Sequence, residues 1–130
     1  MRQDLSLVYL MRDAKGARTP PLLILLHGVG GDEHGWDDIL PLLDERFLVL
    51  SARAPNVYAN GGYCWFNVAF QNGKFSIDAT QAQSSWRAIA NFAAEASAAY
   101  NVPAGQVYLM GFSQGAAMAF CTMLTAPEKL

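Results

Sequence analysis

The strongest chemical signal in the chain is a serine set between two glycines. Gly111-Phe112-Ser113-Gln114-Gly115 fits the pattern G-x-S-x-G, which composition alone yields about 0.04 times in a chain of this length. A serine hydroxyl is a weak nucleophile until a base takes its proton, so it must stand where a base and a substrate can both reach it. The flanking glycines relieve crowding around a sharp, strained turn that lifts the hydroxyl off the end of a strand. The aliphatic run 107–110 before Ser113 and the small residues Gly115-Ala116-Ala117 after it supply that strand and the start of a helix. The positive helix N-terminus and its free N–H groups favour negative charge developing at the serine. A serine at a helix start can also be a simple N-cap; the two glycines favour the nucleophile.

A second element complements the first. Acyl transfer passes through a tetrahedral oxyanion that two backbone N–H groups normally stabilise. One donor is the residue after the nucleophile, here Gln114, and the other comes from a loop after a neighbouring strand. His27-Gly28-Val29-Gly30-Gly31 follows the aliphatic run 22–26 and is placed to be that loop, although a tight strand-to-helix turn without chemistry would look similar.

The stretch His27-Gly28-Val29-Gly30-Gly31-Asp32-Glu33, then Trp65-Phe66, then Gly111 through Ala116 resembles the phospholipase/carboxylesterase family, which includes the acyl-protein thioesterases. The likeness runs in order and spacing over nearly the whole chain. It implies an α/β-hydrolase fold and cofactor-free hydrolysis of a small-molecule carboxylic ester or thioester, with water as second substrate. By the same resemblance Ser113 is the nucleophile, and Val29 and Gln114 supply the oxyanion N–H groups. Trp65 and Phe66 match a substrate-binding loop beside the acyl cleft; two aromatics capping the core are the alternative for that pair.

The chain also departs from the family pattern. In these hydrolases the catalytic acid and histidine follow the serine, yet Glu128 is the only acidic residue after Ser113 and no histidine follows it. His27 and His34 both precede it; the first belongs to the glycine turn, and the second reads as a solvated residue at a helix start. The triad Asp and His are therefore expected outside this chain. The rival from another class is a catalytically inactive fragment or pseudo-enzyme acting as a binding module. His27, Asp32, His34 and Asp37 match no standard zinc or iron spacing, so no metal site is expected. A dinucleotide fingerprint fails because Glu33 stands where its third glycine belongs.

Elements that could position these residues alternate along the chain. Strands are expected over residues 5–12, 22–26, 47–50 and 107–110. Helices are expected over 36–43, from the Asp78/Gln81 capping box to about 100, and from Ser113 to about 125. Pro127 closes the last helix, and 54–77 reads mostly as loop. The expected fold is α/β: one incomplete domain over residues 1–130, a mostly parallel sheet with helices on both faces, and its C-terminal strands missing. The apolar fraction of 52% over 130 residues suits such doubly covered strands. Roughly the last third of the fold is expected to be absent, which leaves 107–110 as a bare edge; a homodimer through that edge is the other way to cover it. A net charge of −2, with nine scattered Lys and Arg, gives no basic stripe for nucleic acid. The run 22–26 is too short to span a bilayer, and the N-terminus has no signal-peptide pattern. Cys64 and Cys121 read as free thiols, consistent with a cytoplasmic protein.

Overall fold

The computed structural model describes residues 1–16 and 18–130. Three strands come first: β1 (Tyr9–Arg12), β2 (Leu22–Leu26) and β3 (Leu48–Ala52). Four short ones follow: β4 (Asn56–Val57), β5 (Tyr63–Cys64), β6 (Val68–Gln71) and β7 (Lys74–Ile77). The chain continues into α1 (Ala79–Ala99), β8 (Val107–Gly111) and α2 (Gln114–Thr125). The main sheet has the order β1-β3-β2-β8. β2 runs parallel to both β3 and β8, and β1 is antiparallel to β3. Parallel pairing sends the C-terminal ends of β2, β3 and β8 to one end of the sheet, where the glycine turn and the serine must meet.

The five residues of β2 are all buried, because both faces of the sheet are covered and a strand alternates its side chains between them. Leu22, Ile24, Leu26, Leu48 and Leu50 face Ile89, Phe92, Ala93 and Ala96 of α1 and Met118 of α2. Leu23, Leu25 and Val49 face the other way, under Trp36, Leu40, Leu43, Phe47 and Met110. Both α-helices thus stand on the first face, and the segment containing Trp36 covers the second.

That segment is not the α-helix expected over 36–43. It is a series of turns ending in a 3-10 helix, Leu40–Leu42. Ile39 N–H donates to Trp36 O at 2.9 Å and Leu42 N–H to Ile39 O at 2.8 Å, the tighter i→i+3 pattern. Pro41 has no N–H to give an α-helical bond. The apolar residues still meet the sheet, so the pattern signalled the buried face and not the helix type.

Two other expectations change. The first strand is shorter than 5–12, because mutual backbone bonds between Arg2 and Tyr9 fold the N-terminus back. The stretch 54–77 is not mostly loop: β4 pairs antiparallel with β5, and β6 with β7. Asn72 and Gly73 join β6 to β7 at φ 52° and 73°, the left-handed pair that a two-residue hairpin turn requires. At α1, the Asp78 carboxylate accepts the Gln81 N–H at 3.0 Å. The Gln81 amide does not return to Asp78 but accepts from Asn67 N–H at 2.8 Å, tying the hairpin's base to the helix.

β8 stands at the sheet edge opposite β1. Around it Tyr108, Phe112, Phe120, Met123 and Leu124 are exposed.

Candidate active site

Ser113 links β8 to α2 with φ 55° and ψ −116°. This is a left-handed conformation that a residue with a Cβ adopts only under constraint, at a cost of order 1–3 kcal/mol. The constraint is steric. A Cβ at position 111 would strike the Gly115 carbonyl, and one at 115 would lie 2.6 Å from His27 O and closer still to Leu26 O. The first turn of α2 therefore packs directly on the end of β2, which only glycine allows, and the backbone must swing through Ser113 to get there. The Ser113 side chain makes no cap bond to α2 and is exposed, so it is not a structural N-cap.

The glycine turn lies against this elbow. A Cβ on Gly28 would sit 3.2 Å from the Phe112 ring and 3.6 Å from Ser113 Cβ. Gly30 N–H donates to Tyr63 O at 2.8 Å and Gly31 N–H to Gly28 O at 3.1 Å. Among the described residues, neither the Val29 N–H nor the Gln114 N–H donates to a protein acceptor. An open cleft of about 410 Å³ runs from residues 28–31 past Trp36 and Ile39 to Phe112.

His27 is buried, and both of its ring nitrogens are used within the fold. Nε2 accepts the Ala54 N–H at 3.0 Å, so Nδ1 carries the proton, 2.6 Å from Gly28 O. Burial holds its pKa below the ordinary histidine value. His27 is thus a neutral brace between the ends of β2 and β3, with no nitrogen free for Ser113. His34 is exposed, with Nδ1 3.0 Å from Asp37 Oδ2, and its N–H donates to Asp32 Oδ1. Among the described residues, no group of three or more His, Cys, Asp or Glu is arranged to hold a metal ion.

A buried ion pair holds the segment that follows the turn. Glu33 is buried and receives two bonds from Arg53, from Nε at 2.7 Å and from Nη2 at 2.5 Å. These bonds lower its pKa to about 2. Arg53 lies over the Tyr63 ring at 4.5 Å, and Ser51 Oγ donates to Glu33 O at 2.7 Å. A buried charge costs a great deal unless paired, so acid and guanidinium fix the segment after the glycine turn to β3.

Trp65 and Phe66 separate. Trp65, expected to contact substrate, has no exposed surface. Its indole N–H donates to His27 O at 2.8 Å, and Ser85 Oγ donates to its carbonyl at 2.5 Å; it is a core pillar under the site. Phe66 is half-buried. The Gln114 side chain reaches this pair, its Oε1 accepting the Trp65 N–H at 2.7 Å and its Nε2 donating to Phe66 O at 2.7 Å. Motif matching marks Gln114 for its backbone and gives no sign of this use of its side chain.

Comparison with known proteins adds the family. The model of the phospholipase/carboxylesterase family matches residues 13–130. Acyl-protein thioesterase 1 of Saccharomyces cerevisiae is 30% identical over 125 residues, covering 83% of this chain and 53% of that protein. Its counterpart in Kluyveromyces lactis is 29% identical over 120 residues, 84% of this chain and 52% of that protein. Among solved structures, a carboxylesterase from Mesorhizobium loti aligns at TM-score 0.81 and 25% identity, covering 99% of this chain and 59% of that one. The Bacillus cereus carboxylesterase aligns at 0.77 and 27%, covering 95% and 56%. The chain spans about half the length of the curated relatives it matches. No helix among the described residues is long and apolar enough to cross a membrane.

Proposed function

The chain belongs to the phospholipase/carboxylesterase family, and from that premise we propose that it carries the nucleophile half of a serine hydrolase that cleaves carboxylic esters or thioesters. The observation that carries this reading is Ser113, held at φ 55° with its side chain free of any cap bond. Such strain persists only where the surrounding structure enforces it, and it collects at functional sites.

Ser113 Oγ attacks the acyl carbon and its proton passes to a base. The N–H groups of Val29 and Gln114 stabilise the oxyanion, and the C–O or C–S bond to the leaving group breaks. The departing alcohol or thiol takes the proton back, leaving an ester on Ser113 that water then hydrolyses. The base is read as a residue outside positions 1–130, because His27 spends both nitrogens internally and, among the described residues, no histidine nitrogen hydrogen-bonds to Ser113. No step requires a cofactor.

A fluorophosphonate, which phosphonylates activated serines, tests this on the complete protein. Labelling should occur and should vanish in Ser113→Ala. Labelling that survives the substitution refutes the assignment. A complete, folded protein that takes no label favours the inactive binding module.

A further inference from the structure

The Gly28 carbonyl receives two donors, His27 Nδ1–H at 2.6 Å and Gly31 N–H at 3.1 Å. That carbonyl shares its peptide unit with the Val29 N–H, and a trans unit points the two in opposite directions. No peptide bond among the described residues is cis, so holding the oxygen in place fixes where the N–H points. Among the described residues the Val29 N–H meets no protein acceptor. The unit also begins in contact with the elbow, since a Cβ on Gly28 would lie 3.6 Å from Ser113 Cβ. Two features keep the His27 bond in this form. Nε2 accepts the Ala54 N–H at 3.0 Å, which leaves Nδ1 as the donor of the neutral ring. Gly31 makes room for it: a Cβ there would lie 3.1 Å from Nδ1 and 3.2 Å from Gly28 O, although its φ is not positive. The missing side chain at position 31 thus answers to the imidazole and not to backbone conformation.

We infer that His27 is a positioning residue of the oxyanion site: its Nδ1–H, with the Gly31 N–H, aims the Val29 N–H at the carbonyl oxygen of the substrate. This rests on the nucleophile reading above. The same bonds act on strength as well as direction. A carbonyl that accepts hydrogen bonds polarises its peptide, which makes the attached N–H a better donor to developing negative charge. The gain grows as the oxyanion forms, so the device works on the transition state and not on substrate binding.

The test uses the complete protein with p-nitrophenyl acetate and separates the two ring nitrogens. Asparagine carries its amide nitrogen on Cγ, where histidine carries Nδ1, so His27→Asn keeps a donor for Gly28 O and loses the acceptor for Ala54. Glutamine sets its amide one bond farther out, at the reach of Nε2, so His27→Gln keeps the acceptor and loses the donor. His27→Gln should lower kcat and kcat/KM together by about ten- to a hundredfold with KM unchanged, part of the effect of deleting an oxyanion donor. His27→Asn should recover most of that loss. A mere brace between β2 and β3 would give the reverse order, because Gln is the variant that keeps the bond to Ala54. Equal kcat in the two folded variants, or a lower kcat in His27→Asn, overturns the inference. If either fails to fold, the wild-type protein decides. Its His27 Nδ1–H proton resonance should move downfield when a fluorophosphonate modifies Ser113, as the phosphonyl oxygen draws on the Val29 N–H. A resonance that stays in place overturns the inference. Wild-type protein that takes no fluorophosphonate at Ser113 overturns the nucleophile reading instead, which separates the two failures.

Discussion

Two loops meet at the site, and they are held by different physics. The elbow at 111–115 is held by exclusion: Gly111 and Gly115 sit where any Cβ would strike backbone. The turn at 27–31 is held by attraction, through His27 to Ala54, Glu33 to Arg53, and Gly30 to Tyr63. Steric exclusion leaves a mark in the residue types themselves. Attraction between side chains far apart in sequence leaves almost none.

The comparison breaks most sharply at Gly115. Gly115→Ala forces a methyl into the Leu26 carbonyl, which belongs to a central strand and cannot retreat. A loss of about 3 kcal/mol or more, or failure to fold, should appear in urea or thermal unfolding. Gly105 makes the control, because its φ is 76° but nothing lies within 4 Å of an added Cβ. Gly105→Ala should cost only the left-handed strain, roughly 1–2 kcal/mol.

On the attractive side, Glu33→Ala leaves the Arg53 guanidinium without its carboxylate. Removing one partner of a largely buried pair costs about 3–5 kcal/mol. Some solvent reaches Arg53, so the lower end of that range is expected in urea unfolding. Arg53→Ala should cost a comparable amount, and the double variant less than the sum, because the two residues act as a unit.

Acid separates the loops differently. Burial lowers the His27 pKa below 6.5, so the unfolded chain binds that proton at a higher pH than the folded one. Stability from this source is complete above about pH 6.5 and is lost as pH falls below it. Glu33 falls from 4.5 to about 2 on folding. Its contribution is complete above about pH 4.5 and disappears as pH falls toward 2. Equilibrium unfolding measured against pH should therefore weaken in two stages. Glu33→Gln should remove most of the lower stage and spare the upper one.

The smallest effect should come from the exposed pair near the turn. His34→Ala removes the contact to Asp37 and should change stability by less than about 0.5 kcal/mol.

These contrasts explain what the sequence could reveal. β2, β8 and α2 are readable because aliphatic runs, small residues and the G-x-S-x-G spacing report burial and crowding directly. The hairpin β6–β7 is hidden because Asn72-Gly73 fits an irregular loop as readily as the turn that pairs two strands. The 3-10 segment was hidden because apolar spacing reports which side is covered and not which hydrogen bonds form. Within the site, the positions of Ser113 and the glycine turn were legible from motif and order. The partners of His27, Glu33 and Gln114 lie 27, 20 and 49 residues away, and no local pattern joins them. Trp65 and Phe66 could not be told apart from their types, since only packing sends one ring inward and leaves the other half exposed.

The packing of Gly115 on the end of β2 also has a consequence in time. Leu22 pairs with Val107 and Leu26 with Gly111, so this ladder closes only after most of the chain has been gathered. Such long-range parallel pairings are slow, because loop entropy is lost before the contacts repay it. Nothing local favours φ 55° at Ser113; the conformation follows from docking α2 against Leu26. Until β2 and β8 join, the chain carries an ordinary, relaxed serine. The geometry that would make it a nucleophile therefore follows the closing of the sheet, and its presence reports that the sheet has closed.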